Sequence, residues 1–194
     1  MNKFTLLALT LLTCAIPCLA VPGAEFSVKK VELSSPTSPD FQLGGNDIGV
    51  KWTPQKWARL DVTFEAAPEW TDELMFTYYV LFGDRLLVGH VNHVNIAKGR
   101  DLHSVMYISP QAIMRIMQKK LVNMSTLPIT QVTVTVSKPG VIAPLAIGNL
   151  KPAGTGQWWT TMKQEDGFLS NKSETPFAPL FWDYYEAVKS APGR

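Results

Sequence analysis

The sequence is poor in cysteine, and both of its cysteines lie near the amino terminus. Cys14 and Cys18 fall within an apolar stretch that begins after the positively charged Lys3 and ends at the small residue Ala20. This arrangement is typical of a cleavable secretory signal peptide, which we predict over residues 1–20. The mature chain would then keep no cysteine, so it could not form disulfides even in an oxidising compartment.

Long apolar runs are missing as well. The run that Pro17 ends is several residues shorter than the ~20 that span a bilayer. Neither cysteine fits a lipid-attachment signal, because Thr13 precedes one and Pro17 the other where a small residue is needed. We therefore expect an exported protein without a membrane span in its mature part, located in the periplasm, at the outer-membrane surface or outside the cell.

The chain also has no large excess of positive or negative charge. The net charge is +2, and acidic and basic residues are interspersed along the chain. The absence of a basic patch argues against a nucleic-acid partner. A mature length of about 170 residues is enough to bury one core, so we predict a single domain over 21–190 and a frayed tail over 191–194.

Catalytic motifs are absent. The chain has no Gly-x-Ser-x-Gly elbow, no mature cysteine nucleophile and no phosphate-binding glycine loop. Carboxylates such as Asp61 with Glu65, or Glu165 with Asp166, could form an acid–base pair. Asp61 and Glu65, however, fall on the polar face of a strand, where solvated charges are expected. The sequence therefore predicts a protein that is not an enzyme and that needs no cofactor.

Histidine is rare too, and its spacing argues against a metal site. His90, His93 and His103 are the three histidines of the chain. Residues three apart in a strand point to opposite faces, so His90 and His93 could not address one ion without a bulge. A zinc site needs three or four converging ligands, and we predict none here.

What the sequence has in abundance is β patterning. Leu60, Val62 and Phe64 alternate with polar residues, as in a half-buried strand. Gly83-Asp84 and 137–140 are typical of hairpin turns, and 98–101 of a further turn. Strands are predicted at 25–33 with a bulge, 47–52, 59–65, 73–82, 85–91, 94–97, 102–108, 129–136 and 141–147.

One short helix is predicted between two late strands. Ser109 is suited to cap its start, Pro110 to occupy its first turn, and Ile113, Ile116 and Leu121 have helical spacing. Seven or so strands, with turn signals at intervals of about ten residues, favour an immunoglobulin-like antiparallel β-sandwich. A β-barrel is the alternative.

Aromatic residues cluster late in the chain. Trp and Tyr combine a large contact area with a polar group, so they are candidates for contact with a protein or a sugar. The candidate binding residues are Trp158, Trp159, Phe181, Trp182 and Tyr185. In the alternative that we favour, segment 175–190 packs back on the domain, so that Phe177, Phe181, Trp182 and Tyr185 cap the core, because large aromatics are more often core residues.

The stretch 171–186, which reads NKSETPFAPLFWDYYE, resembles a closing signature of small exported verrucomicrobial proteins. Signal peptide, length and strand content are similar to those of an immunoglobulin-like member of that group linked to type IV pilus gene clusters. The resemblance implies a periplasmic or surface protein of the pilus system that acts by contact. The chain lacks a pilin leader and a long apolar amino-terminal helix, so it would be an accessory protein and not the fibre subunit.

These observations predict a non-catalytic binding or assembly module of the cell envelope with a protein partner. A type IV pilus accessory protein and a surface adhesion protein both fit this description. A glycan-binding module is the alternative, because exposed aromatic rings also suit sugars. A carbohydrate hydrolase is third, since a β-sandwich does not exclude catalysis.

Overall fold

The computed structural model describes residues 24–41, 53–118, 127–151 and 156–189. Within these ranges the chain is mainly β, with one short α-helix. The elements are β1 (Phe26–Ser34), β2 (Ala58–Phe82), β3 (Arg85–Ile108), α1 (Pro110–Ile116), β4 (Ile129–Ser137), β5 (Ala146–Asn149), β6 (Gln164–Glu165) and β7 (Leu169–Asn171). The predicted signal peptide, the predicted strand at 47–52 and the tail at 191–194 lie outside the described residues.

Strands β2 and β3 form one long hairpin around which the sheet is built. Their pairing runs from Ala58 with Ile108 to Phe82 with Arg85, and Gly83 turns the chain with a positive φ of 64°. β1 pairs with the first half of β2 and β4 with its second half, both antiparallel. β5 extends the sheet beside β4, while β6 and β7 pair with the two ends of β3, β6 in parallel orientation.

The long hairpin folds back on itself. Phe64 and Phe76 both belong to β2, and about 40 Å would separate them in a straight strand. Their ring centres nevertheless lie 4.8 Å apart in the core. The pairing of β2 with β3 shifts register between Phe64 and Trp70, which places the bend there.

The predicted turn at 98–101 is wrong, because β3 continues through it. Its residues lie where the register of the hairpin shifts, with Gly99 opposite Ala66. Bulges use the same small and polar residues as turns, and they bend a strand without ending it. The bulge predicted in the first strand is confirmed between Val28 and Lys30.

The fold-back produces two layers with the core between them. Gly148 of β5 lies so close to β1 that an added Cβ would be 2.7 Å from Val28 Cβ and 3.2 Å from Val31 Cγ2. The mainly β class and the antiparallel, sandwich-like fold are therefore confirmed. Both layers belong to one sheet, because β2 and β3 run through both, and in the described residues this sheet is open and not closed as a barrel.

The helix begins as predicted. Ser109 Oγ accepts a hydrogen bond from the Ala112 amide at 3.1 Å, Pro110 is in the first turn, and Ile113 is buried. Leu121 lies outside the described residues. No helix in the described ranges has the length and hydropathy of a membrane span.

The second predicted hairpin is confirmed as the antiparallel pair β4 and β5. Its connection is longer than predicted, because β5 begins only at Ala146. Val141 and Ile142 lie in this connection with exposed side chains.

Candidate binding site

The last described residues lie along β3 and continue the sheet locally. The Val94 amide donates to Ala187 O at 2.9 Å, and the Lys189 amide donates to Asn92 O at 2.8 Å. We call residues 175–189 the C-terminal segment. Its end is therefore attached to the sheet by main-chain hydrogen bonds and not only by side chains.

Phe177 anchors the start of the C-terminal segment. Its side chain is 4% exposed and stacks on Tyr107, with ring centres 4.8 Å apart and planes 7° apart. The Trp57 ring meets Phe177 edge-on at 5.7 Å, and Trp57 Nε1 donates to Ser38 Oγ at 3.0 Å. A ring enclosed in this way contributes strongly to stability.

A second anchor joins Tyr185 to Asp61. The Tyr185 hydroxyl donates to Asp61 Oδ2 at 2.8 Å, and His103 Nδ1 lies 3.5 Å from Asp61 Oδ1. The Tyr184 ring stacks on His103 at 4.0 Å. The expectation that Asp61 is solvated is wrong, because the C-terminal segment covers it. Burial and the nearby carboxylate raise the pKa of Tyr185, so its hydroxyl remains a donor.

A buried chain of hydrogen bonds lies beneath the same segment. The Tyr78 hydroxyl donates to Ser104 Oγ at 2.7 Å, and Ser104 Oγ lies 2.7 Å from His93 Nε2. His93 Nδ1 lies 3.0 Å from the Glu186 carbonyl, which can only accept, so Nδ1 carries the proton and Nε2 accepts from Ser104. Burial lowers the pKa of His93 to about 4, which favours this neutral form. Sequence analysis missed the network, because its members are far apart in the chain.

A hydroxyl beside an imidazole is the arrangement of an activated nucleophile. Ser104, however, has no exposed surface, and its oxygen already accepts the Tyr78 proton. A substrate cannot reach it in this conformation. The network links β2, β3 and the C-terminal segment.

The carboxylates considered as acid–base candidates are engaged in separate places. Glu65 pairs with Lys29 at 2.8 Å, and this pair is partly exposed. Glu165 pairs with Arg85, which lowers the pKa of Glu165 through their hydrogen bond. Asp61 is hydrogen-bonded to Tyr185 at a third place, so Asp61, Glu65 and Glu165 form no shared site.

The three histidines have different partners. His90 is exposed, and its Nδ1 lies 3.0 Å from Thr77 Oγ1. His93 is buried against Ser104, and His103 lies beside Asp61. In the part of the chain that the structure describes, no group of three or more His, Cys, Asp or Glu residues is arranged to hold a metal ion.

A groove of about 850 Å³ opens between the C-terminal segment, the turn at Lys172–Glu174 and β3. Trp182 and Tyr185 line it with aromatic surface, and Trp182 is 76% exposed. Lys172 Nζ lies 5.7 Å from the Trp182 ring centre and 5.8 Å from that of Tyr185. The same ammonium donates to Ala178 O at 2.8 Å, so it holds the two rings beside the turn.

The five aromatic candidates occupy different environments. Trp159 is buried and stacks on Tyr79 at 5.4 Å, while the half-buried Trp158 donates from Nε1 to Thr133 Oγ1 at 3.0 Å. These two rings lie against β2 and β4, and they do not line the groove. Trp182 and Tyr185 do line it.

Phe181 departs from the expectation that the whole segment caps the core. Its side chain is 61% exposed, and that of Trp182 even more so. Phe177, in contrast, does lie in a buried cluster, with Val105 and Tyr107. The C-terminal segment therefore begins with a buried ring, continues with three exposed rings and ends with the half-buried Tyr185.

An open sheet folded into two layers, with a surface groove beside its last segment, defines a sandwich-like β domain. A family model matches residues 19–191, and the chain belongs to that family. A crystal structure of a protein from Akkermansia muciniphila, a verrucomicrobial organism, is similar with a TM-score of 0.70. It shares 21% identity, and the match covers 87% of this chain and 94% of that one, which supports the verrucomicrobial resemblance in fold. No curated protein matches the chain.

Proposed function

We propose that this protein is an exported, non-catalytic binding module of the cell envelope that contacts its partner through the C-terminal segment. The observation that carries this proposal is the exposure of three neighbouring aromatic side chains, Phe181 (61%), Trp182 (76%) and Tyr184 (49%). Clustered exposed aromatics are typical of interaction sites, and Trp and Tyr are enriched among residues that dominate binding energy.

The rigidity of the segment supports the same proposal. Phe177 is buried on one side of the exposed rings, and Tyr185 is bound to Asp61 on the other. Phe181 itself has a positive φ of 54°, which is uncommon for a bulky residue and needs support from its surroundings. A surface that is fixed before binding loses less entropy when the partner arrives.

The partner that we propose is a protein of the envelope, and the role is that of a type IV pilus accessory or surface adhesion protein. The resemblance of segment 171–186 to the closing signature of small exported verrucomicrobial proteins supports this assignment. Export would follow from the signal peptide at 1–20. Mass spectrometry of the envelope fraction should find a mature chain that begins at Val21, and a lipid mass on Cys14 or Cys18 would contradict this route.

The binding proposal is tested by removing the exposed rings together. A variant with Phe181→Ser, Trp182→Ser and Tyr184→Ser should lose at least about tenfold in affinity for isolated envelope, because hot-spot aromatics each contribute 1 kcal/mol or more, at roughly tenfold per 1.4 kcal/mol. Its unfolding midpoint should fall only by the loss of the Tyr184 contact with His103, since the rings of Phe181 and Trp182 are mostly exposed.

The matched control replaces the same number of exposed apolar side chains elsewhere in the domain. Val141→Ser, Ile142→Ser and Leu145→Ser change three exposed residues in the β4–β5 connection. This control should bind envelope as the parent does. If the control loses binding and the aromatic variant retains it, the recognition surface lies at the β4–β5 connection and the proposal is wrong.

A glycan-binding module is the second candidate. The groove lined by Trp182 and Tyr185 favours it, because it combines aromatic and polar surface in a concave site.

A further inference from the structure

We infer that the groove beside Trp182 binds a carbohydrate, and that its ligand is a neutral or amino sugar and not an acidic one. This inference rests on the proposed function, because the same C-terminal segment supplies both surfaces. It adds the chemical class of a ligand and the residues that would recognise it.

The aromatic wall fits one side of a sugar ring. A pyranose has a face made of C–H groups and a rim of hydroxyl groups, so it pairs with a flat ring on one side and with polar groups around its edge. Trp182 offers an exposed indole to the groove. Lys172 fixes this indole in place, since its ammonium lies near the ring and is itself bound to Ala178 O.

The polar rim is also fixed before a ligand arrives. Asn92 Nδ2 donates to Glu73 Oε1 at 2.7 Å, and Lys189 Nζ donates to Glu73 Oε2 at 2.6 Å. Asn92 and Lys189 both line the groove, as does the hydroxyl-bearing Ser173. Amide, ammonium and hydroxyl groups are the donors and acceptors that sugar hydroxyls require.

The size of the groove favours a small ligand. Its volume of about 850 Å³ falls within the range of sites for small molecules and would accommodate a short oligosaccharide. A protein partner would instead cover about 800 Å² of surface on each side.

Charge decides which class of sugar fits. Among the described lining residues, Lys172 and Lys189 face three carboxylates, those of Glu174, Asp183 and Glu186. Lys189 is also neutralised by its ion pair with Glu73. Lys172 donates to the uncharged Ala178 O, so its single positive charge is set against three carboxylates. The net negative charge disfavours an acidic sugar, whereas a hydroxyl or an amino group can donate to these carboxylates.

The inference is tested with the purified mature protein on an oligosaccharide array that carries neutral, amino, sialylated and uronic-acid sugars. Titration calorimetry with the best-bound oligosaccharide then compares variants. Trp182→Ala should weaken binding by at least about tenfold, and Trp182→Tyr should recover most of the loss. Trp70→Ala is the matched control, because Trp70 is an exposed tryptophan that does not line the groove, and this variant should bind within about twofold of the parent.

Three results would overturn the inference. These are no bound oligosaccharide at millimolar concentration, equal binding by Trp182→Ala and the parent, and preference for sialylated or uronic-acid sugars. If envelope binding nevertheless still depends on the three exposed aromatics, the proposed function stands and its partner is a protein. If that dependence is also absent, both proposals fail.

Discussion

The substitution Phe177→Ala examines the attachment of the C-terminal segment to the sheet. Phe177 is 4% exposed and packs against the rings of both Tyr107 and Trp57. Truncating a buried phenylalanine costs about 3–5 kcal/mol, which is a large part of the ~5–15 kcal/mol that stabilises a domain. With a urea slope of roughly 2 kcal/mol per molar, the unfolding midpoint should fall by about 2 M.

The assay is equilibrium urea unfolding of the mature protein, followed by fluorescence and by far-UV circular dichroism. Trp182→Ala is the matched control from the same segment, and it should change stability by no more than about 0.5 kcal/mol because that ring is exposed. Phe177→Leu should cost less than Phe177→Ala, since it refills part of the cavity. A Phe177→Ala protein within 1 kcal/mol of the parent would refute the reasoning, because it would show that the segment is not part of the folded domain.

Three other predictions follow from the core and the histidines. Burial lowers the pKa of His93 to about 4 from 6.5, so the folded state binds fewer protons, and stability should fall by roughly 3 kcal/mol as the pH drops from 6.5 to 4. Urea unfolding at each pH should show a weaker pH dependence of stability for His93→Gln and an unchanged one for His90→Gln. If the stability of the parent does not change between pH 6.5 and 4, the assignment to His93 is wrong. Gly148→Ala should lower the unfolding free energy by about 1–3 kcal/mol, because the added methyl group clashes with Val28. In the double variant, Val28→Ala should relieve part of that loss. If the effects of the two substitutions on stability simply add, the contact is not confirmed. EDTA should leave the melting temperature unchanged, and a drop of several degrees that zinc restores would reveal a metal site.

The sequence predicts correctly those features that depend only on residues close together in the chain. Gly83 makes the hairpin and Ser109 caps the helix, because each acts on residues a few positions away. The residues near Gly99 have the composition of a turn, and only their pairing with β2 shows that the strand continues. The bend brings Phe64 onto Phe76, a contact between distant positions of one strand that no local pattern reports.

The candidate site was predictable only in part for the same reason. The late aromatic cluster was visible in the sequence, but burial of Trp159 and exposure of Trp182 depend on strands far away in the chain. Asp61 looked like a solvated carboxylate because its partner Tyr185 lies 124 positions further on. The hydrogen bond between Ser104 and His93 could not be predicted, because it depends both on the sheet and on the Glu186 carbonyl of the C-terminal segment.

The most direct measurement of the central claim is site-specific photo-crosslinking in the producing cell. A photoreactive phenylalanine analogue placed at position 181 sits on the exposed aromatic surface, and the same group at Met114 sits on the exposed part of α1. We expect a discrete crosslinked envelope product from position 181 and none from position 114. Crosslinking from position 114 alone, or equal products from both positions, would contradict the assignment of the recognition surface to the C-terminal segment.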